Sequence, residues 1–133
     1  MNKYEPERSD GFVRQILMTN TFKEKKAFKE AFKNRLHDHY LVTLEESSPR
    51  QRYHALGEIV FEEIADVWVN HKNFLEKNTP RTLHYFSMEF LMGRLITNNL
   101  ENLGLRKFTE DAFKDLGLDL YEIEHHEVDA GLG

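Results

Sequence analysis

Cysteine is absent from this 133-residue chain. That excludes a disulfide framework and any thiolate metal site, and it fits a reducing compartment. Proline occurs three times and glycine seven times, too seldom to break the chain often, so long helices are expected. No apolar run approaches the ~20 residues of a membrane-spanning helix. The N-terminus, Met1 to Arg8, is polar and has no apolar signal-peptide core. Basic runs are also missing, and a net charge of −5 weighs against nucleic acid and anionic membranes as partners. What is present is ordinary for a folded protein: 40% hydrophobic and 31% charged residues, in a length that suits one domain and not two. The expectation is an acidic, soluble, cytoplasmic domain.

Residues 1–20 show no clean period, although Phe12, Val13, Ile16 and Leu17 suit one short helical face. Thr21 to Glu24 has the form of a capping box. Phe28, Ala31, Phe32, Arg35, Leu36 and His39 then recur at threes and fours, predicting an amphipathic helix to about Tyr40. Lysines 23, 25, 26, 29 and 33 form its wet face, either simply solvated or facing an acidic partner. Ser48, Pro49 and Gln51 mark the strongest helix start in the chain. From there Tyr53, Leu56, Val60, Ile64, Val67, His71 and Leu75 trace one stripe, widened by Ile59, Phe61 and Trp68. The spacing predicts a helix of about 28 residues, near 42 Å at about 1.5 Å per residue. Gly57 on it is expected to mark the close approach of a neighbour. After Asn78-Thr-Pro80, the aromatic and apolar run from Leu83 to Met92 predicts a buried strand at roughly 82–88. Its partner strands are not in evidence, and a lone strand leaves backbone groups unpaired. Leu95 to Leu103, stopping at Gly104, predicts a short helix, and residues 109–116, stopping at Gly117, predict another. Asp119 opens a last turn or two to about His125. The chain is expected to be mainly α with one or few β-strands.

Chemistry concentrates near the strand end. Glu89 sits among Met88, Phe90 and Leu91, and ends of strands are where α/β ligand sites form. A carboxylate there needs a partner; it either serves a ligand or pairs with Arg94. Gly131 and Gly133 permit a tight turn or a phosphate-binding loop. The histidines make a poor metal site: His37 and His39 face different ways on one helix, His54 and His71 stand apart, and His125-His126 are adjacent near a helix end. No Ser-His-Asp pattern, P-loop or dinucleotide fingerprint occurs.

Four stretches carry a specific resemblance: His84-Tyr-Phe-Ser-Met-Glu-Phe-Leu-Met-Gly-Arg94, Asn98 to Leu105, Leu116-Gly-Leu118, and Glu127-Val-Asp-Ala-Gly-Leu-Gly133. Together with His39 to Thr43 and Ser48 to His54, the chain from about residue 20 onward resembles the N-terminal region of the α-glucan (glycogen, starch and maltodextrin) phosphorylases. The resemblance implies an N-terminal extension over 1–20. It implies that 21–133 is an incomplete part of the α/β N-terminal domain of a two-domain, GT-B-like enzyme, truncated at the glycine loop. It implies a parent that splits α-1,4-glucan with inorganic phosphate to give α-D-glucose 1-phosphate. Pyridoxal 5′-phosphate supplies the acid–base group, on a lysine absent from this chain. Carried over, Glu89, Leu132 and Gly133 are substrate-proximal and Leu91 is cofactor-proximal; no residue here is assigned as catalytic, and the chain alone is expected to be inactive. A homodimeric parent is implied.

The sequence departs from the regulated animal members. Ser9 lies in Glu-Arg-Ser-Asp-Gly, unlike the basic phosphorylation tail of that group. The Thr43–Pro49 segment is shorter than its dimer-contact loop, and Leu75 stands where that group has an aromatic nucleotide contact. These differences imply a bacterial-type, unregulated enzyme. The rival reading is a non-catalytic helical module that binds a protein partner through a Phe-rich face.

Overall fold

The computed structural model describes residues 20–79, 81–88 and 93–129. Six helices follow in order: α1 (Asn20–Lys23), α2 (Lys25–Tyr40), α3 (Pro49–Asn78), α4 (Ile96–Asn102), α5 (Arg106–Asp115) and α6 (Leu120–Glu124). α3 packs on α2, α4 and α6, and α2 also packs on α5.

The core is built around phenylalanine. Phe28 and Phe32 on α2 are fully buried against Phe113 of α5, with ring centroids 5.6 and 4.8 Å away. Phe22 closes over this cluster, 5.4 Å from Phe28 and 5.8 Å from Phe108. These tilted and edge-on arrangements are the ones the ring quadrupole favours. Phe22 also explains why the predicted capping box at Thr21 does not form. Thr21 lies inside α1, and the chain breaks instead at Glu24, which is extended (φ −135°, ψ 133°) and makes no side-chain cap. That break folds Phe22 back onto Phe28, and burial of a large aromatic outweighs a cap worth about 1 kcal/mol.

The start of α3 follows local sequence closely. Ser48 accepts from the Gln51 amide at 3.3 Å, and Gln51 returns the bond to the Ser48 amide at 2.8 Å, with Pro49 at the first helical position. The preceding loop is pinned by Arg52, whose guanidinium donates to Ser47 Oγ at 2.8 Å and to the Leu44 carbonyl at 3.0 Å. The stops of α4 and α5 are equally local. Gly104 (φ 67°) and Gly117 (φ 70°) each sit in a Schellman pair: Leu105 N–H to Leu100 O and Gly104 N–H to Glu101 O, then Leu118 N–H to Phe113 O and Gly117 N–H to Lys114 O. Glycine reaches this left-handed angle without a Cβ penalty.

Two expectations are corrected. The stripe of α3 is buried only in its first half, at Ala55, Leu56, Ile59, Val60 and Glu63. Phe61 within that half, and Trp68, Val69 and Phe74 beyond it, are exposed; α4 and α6 are too short to run beside a 30-residue helix. The segment predicted as a buried strand is neither buried nor a strand. Residues 81–88 are irregular and exposed, with Leu83 95% and Phe86 88% accessible. Among the described residues no strand forms, so this segment has no ladder to join. The chain is mainly α, as expected.

Candidate functional site

The four residues singled out by sequence, Glu89, Leu91, Leu132 and Gly133, lie outside the described residues, as does any pairing of Glu89 with Arg94. Their flanks are described, and the structure ties them together. On one side Gly93 turns at φ 57° with open space where a Cβ would stand, and leads through exposed Arg94 into α4. On the other, Glu127 begins the stretch that runs toward the C-terminal glycines.

Glu127 joins the two. Its carboxylate accepts from the Leu95 amide at 2.7 Å and from the Ile96 amide at 3.0 Å, across 32 and 31 residues of sequence. Leu95 is the N-cap of α4 and has no side-chain cap of its own. Glu127 supplies that cap from a distance, placing negative charge at the positive end of the helix. Tyr53 of α3 completes the joint. Its phenol is held above its ordinary range, first by burial and then by the negative carboxylate of Glu127. An open groove of about 220 Å³ runs beside this joint, with Tyr53, Ile64, Asn99 and Glu127 among its lining.

A second polar cluster sits at the crossing of α2 and α3. Arg35 pairs with Glu62 and lies 3.8 Å from Glu58. His39 Nδ1 meets both oxygens of Glu58, at 3.0 and 2.9 Å. Gly57 opens this groove instead of admitting a neighbour: nothing lies within 4 Å of where its Cβ would be. The close-packing expectation for Gly57 therefore fails. His37 pairs with Asp38, not with His39. A third cluster is structural. Arg106 of α5 grips buried Glu124 of α6 with two bonds of 2.8 and 3.2 Å, and also faces Glu110 and Glu101. Burial works against the guanidinium charge, but the Glu124 bonds and the surrounding carboxylates outweigh it and raise its pKa. Two of the predicted wet-face lysines on α2, Lys25 and Lys29, are engaged with Asp115 at 3.1 and 3.2 Å. Among the described residues no group of three or more His, Asp or Glu side chains is placed to hold a metal, and no helix is long and apolar enough to cross a membrane.

Against known proteins, 105 residues of the chain (79% of it) are 34% identical to glycogen phosphorylase, liver form, of Bos taurus. Over 112 residues (84%) the chain is 36% identical to glycogen phosphorylase of Bacillus subtilis. The human muscle form matches at 34% over 105 residues. By sequence, this chain is a relative of the glycogen phosphorylases. It spans 12% of the cattle protein's length and 14% of the bacterial one's. No protein-family model matches the chain.

Sequence reasoning did not find Glu127 and Tyr53 as a joint. One signal was available: α4 begins at Leu95-Ile96 with no Ser, Thr, Asp or Asn at its cap, so its first amides needed a partner from elsewhere.

Proposed function

We propose that the chain forms part of a phosphorylase that cleaves α-1,4-glucan with inorganic phosphate and releases α-D-glucose 1-phosphate. The observation that carries this reading is the 34–36% identity to glycogen phosphorylases over 79–84% of the chain. In the proposal, Glu89, Leu132 and Gly133 lie beside the glucosyl unit, and Leu91 lies toward the cofactor. In the chain, these residues adjoin the described positions Gly93 and Asp129. The parent is a cytoplasmic homodimer of the GT-B-like type, without the animal phosphorylation and nucleotide controls.

Pyridoxal phosphate belongs to the parent enzyme in this reading, on a lysine outside these 133 residues. The described residues do not themselves fit the cofactor. The Leu95 and Ile96 amides at the start of α4 are taken by the Glu127 carboxylate. A phosphate there would meet that negative charge.

The test is product identity. The protein purified as its own gene produces it is incubated with maltodextrin, inorganic phosphate and pyridoxal phosphate, and phosphorus NMR follows the products. Glucose 1-phosphate is expected from that protein, and none from the 133-residue chain alone. Release of free glucose with no phosphate consumed makes the protein a hydrolase and overturns the proposal.

A further inference from the structure

Gly57 stands inside α3 at a position where packing among the described residues gives no reason for a glycine. A helix-interior glycine weakens the helix relative to alanine, and its usual justification is the close approach of another group. Among the described residues, nothing lies within 4 Å of where its Cβ would be. One turn to either side, on the same face, stand Tyr53 and Phe61, and Phe61 is 67% accessible. Two open grooves share these three residues. The one toward α2, about 470 Å³, is edged by the charged side chains Arg35, Glu58 and Glu62. The one toward α4, about 220 Å³, is walled by Val60, Ile64 and Ile96, together with Asn99 and the engaged carboxylate of Glu127. Gly57 is the floor where the two grooves join across the helix, between two aromatic rings.

The charges select the occupant. Arg35 pairs with Glu62, and His39 meets Glu58, so the α2 side carries both signs interleaved. A strongly acidic or strongly basic molecule would meet repulsion as well as attraction there. A second copy of the chain brings the same mixture. A two-fold axis perpendicular to α3 sets the two helices antiparallel and lays charged side on charged side and aliphatic side on aliphatic side. It brings each Tyr53 beside the other copy's Phe61, a pairing aromatic rings favour. It also brings each His54 between Glu58 and Glu62 of the other copy, where an imidazole N–H can donate to a carboxylate. A parallel crossing would press the charged side onto the aliphatic side, which strands charge against apolar surface.

We propose that this face of α3 is an interface between two copies of the chain, which cross antiparallel about a two-fold axis at Gly57. The missing Cβ lets the backbones approach where the axis passes, and the self-complementary contact of an isologous dimer follows. The proposal gives a surface to the homodimer in the phosphorylase reading, and its test does not depend on that reading.

The chain has no cysteine, so a single introduced thiol reports only on contacts between copies. On the two-fold axis, residue 57 faces its own counterpart, and a disulfide needs Cα atoms within about 7 Å. Under mild oxidation Gly57→Cys is expected to form a reducible dimer, while Lys107→Cys, on the exposed side of α5, is expected to stay monomeric. Sedimentation velocity should show a reversible dimer of the unsubstituted chain, weakened tenfold or more by both Gly57→Leu and Phe61→Glu. Circular dichroism on the same samples checks that both variants stay folded; leucine favours a helix more than glycine does. A monomer at every concentration overturns the proposal. So does a dimer that neither substitution weakens, or one in which Gly57→Cys crosslinks no faster than Lys107→Cys. The glucose 1-phosphate assay on the protein as its gene produces it judges the phosphorylase reading separately.

Discussion

Tyr53 shows how much one side chain on α3 depends on a residue far along the chain. Its phenol is neutral when protonated, and burial and then the Glu127 carboxylate both favour that form. The folded-state pKa is therefore raised above the unfolded value near 10.0. A raised pKa contributes stability that is fully present below the unfolded value and lost as pH rises through the folded one. Urea midpoints measured from about pH 8 to about pH 11 should fall more steeply for wild type than for Tyr53→Phe, which has no phenol to ionise. Parallel curves for the two proteins would mean that folding does not raise the Tyr53 pKa. The pairing was not legible in the sequence. Tyr53 reads correctly as part of an apolar stripe and Glu127 as part of a motif, but nothing local links positions so far apart.

At the scale of elements, legibility follows the range of the interaction. The Ser48-Pro49-Gln51 start and the Gly104 and Gly117 stops depend on bonds within a few residues, and each forms as expected. The strand expected at 82–88 depended on partners, and composition cannot supply them. Its residues are exposed and irregular instead. Part of the α3 stripe fails for the same reason: Phe61 and Trp68 read as widening the apolar face, but burial needs a neighbour of matching length. Thr21 failed because a long-range contact, Phe22 on Phe28 and Phe108, displaced a local cap. Ser48→Ala should destabilise the chain by about 1 kcal/mol, the usual value of a helix N-cap. Thermal unfolding followed by circular dichroism should show a Tm several degrees lower. An unchanged Tm would mean that Pro49 and the Arg52 contacts alone hold the start of α3.

As a whole, the molecule is a phenylalanine-cored helical body carrying two features its core does not use. One is the exposed aromatic surface of outer α3 and residues 83–88, of a kind that marks an interaction site. The other is the bond of Glu127 to the Leu95 and Ile96 amides, next in the chain to the two motif segments. The family is legible in those motifs by sequence alone, and the relatives bear it out. The candidate residues themselves lie outside the described residues. The central claim is that these segments carry chemistry and do not simply stabilise the body. Glu89→Gln in the protein as its gene produces it tests this most directly, because it keeps the side chain's shape and removes its charge. With kcat for glucose 1-phosphate formation and Tm measured on the same preparations, the account predicts a clearly lower kcat at an unchanged Tm. An unchanged kcat with a clear drop in Tm would contradict it and leave Glu89 a structural partner of its neighbours.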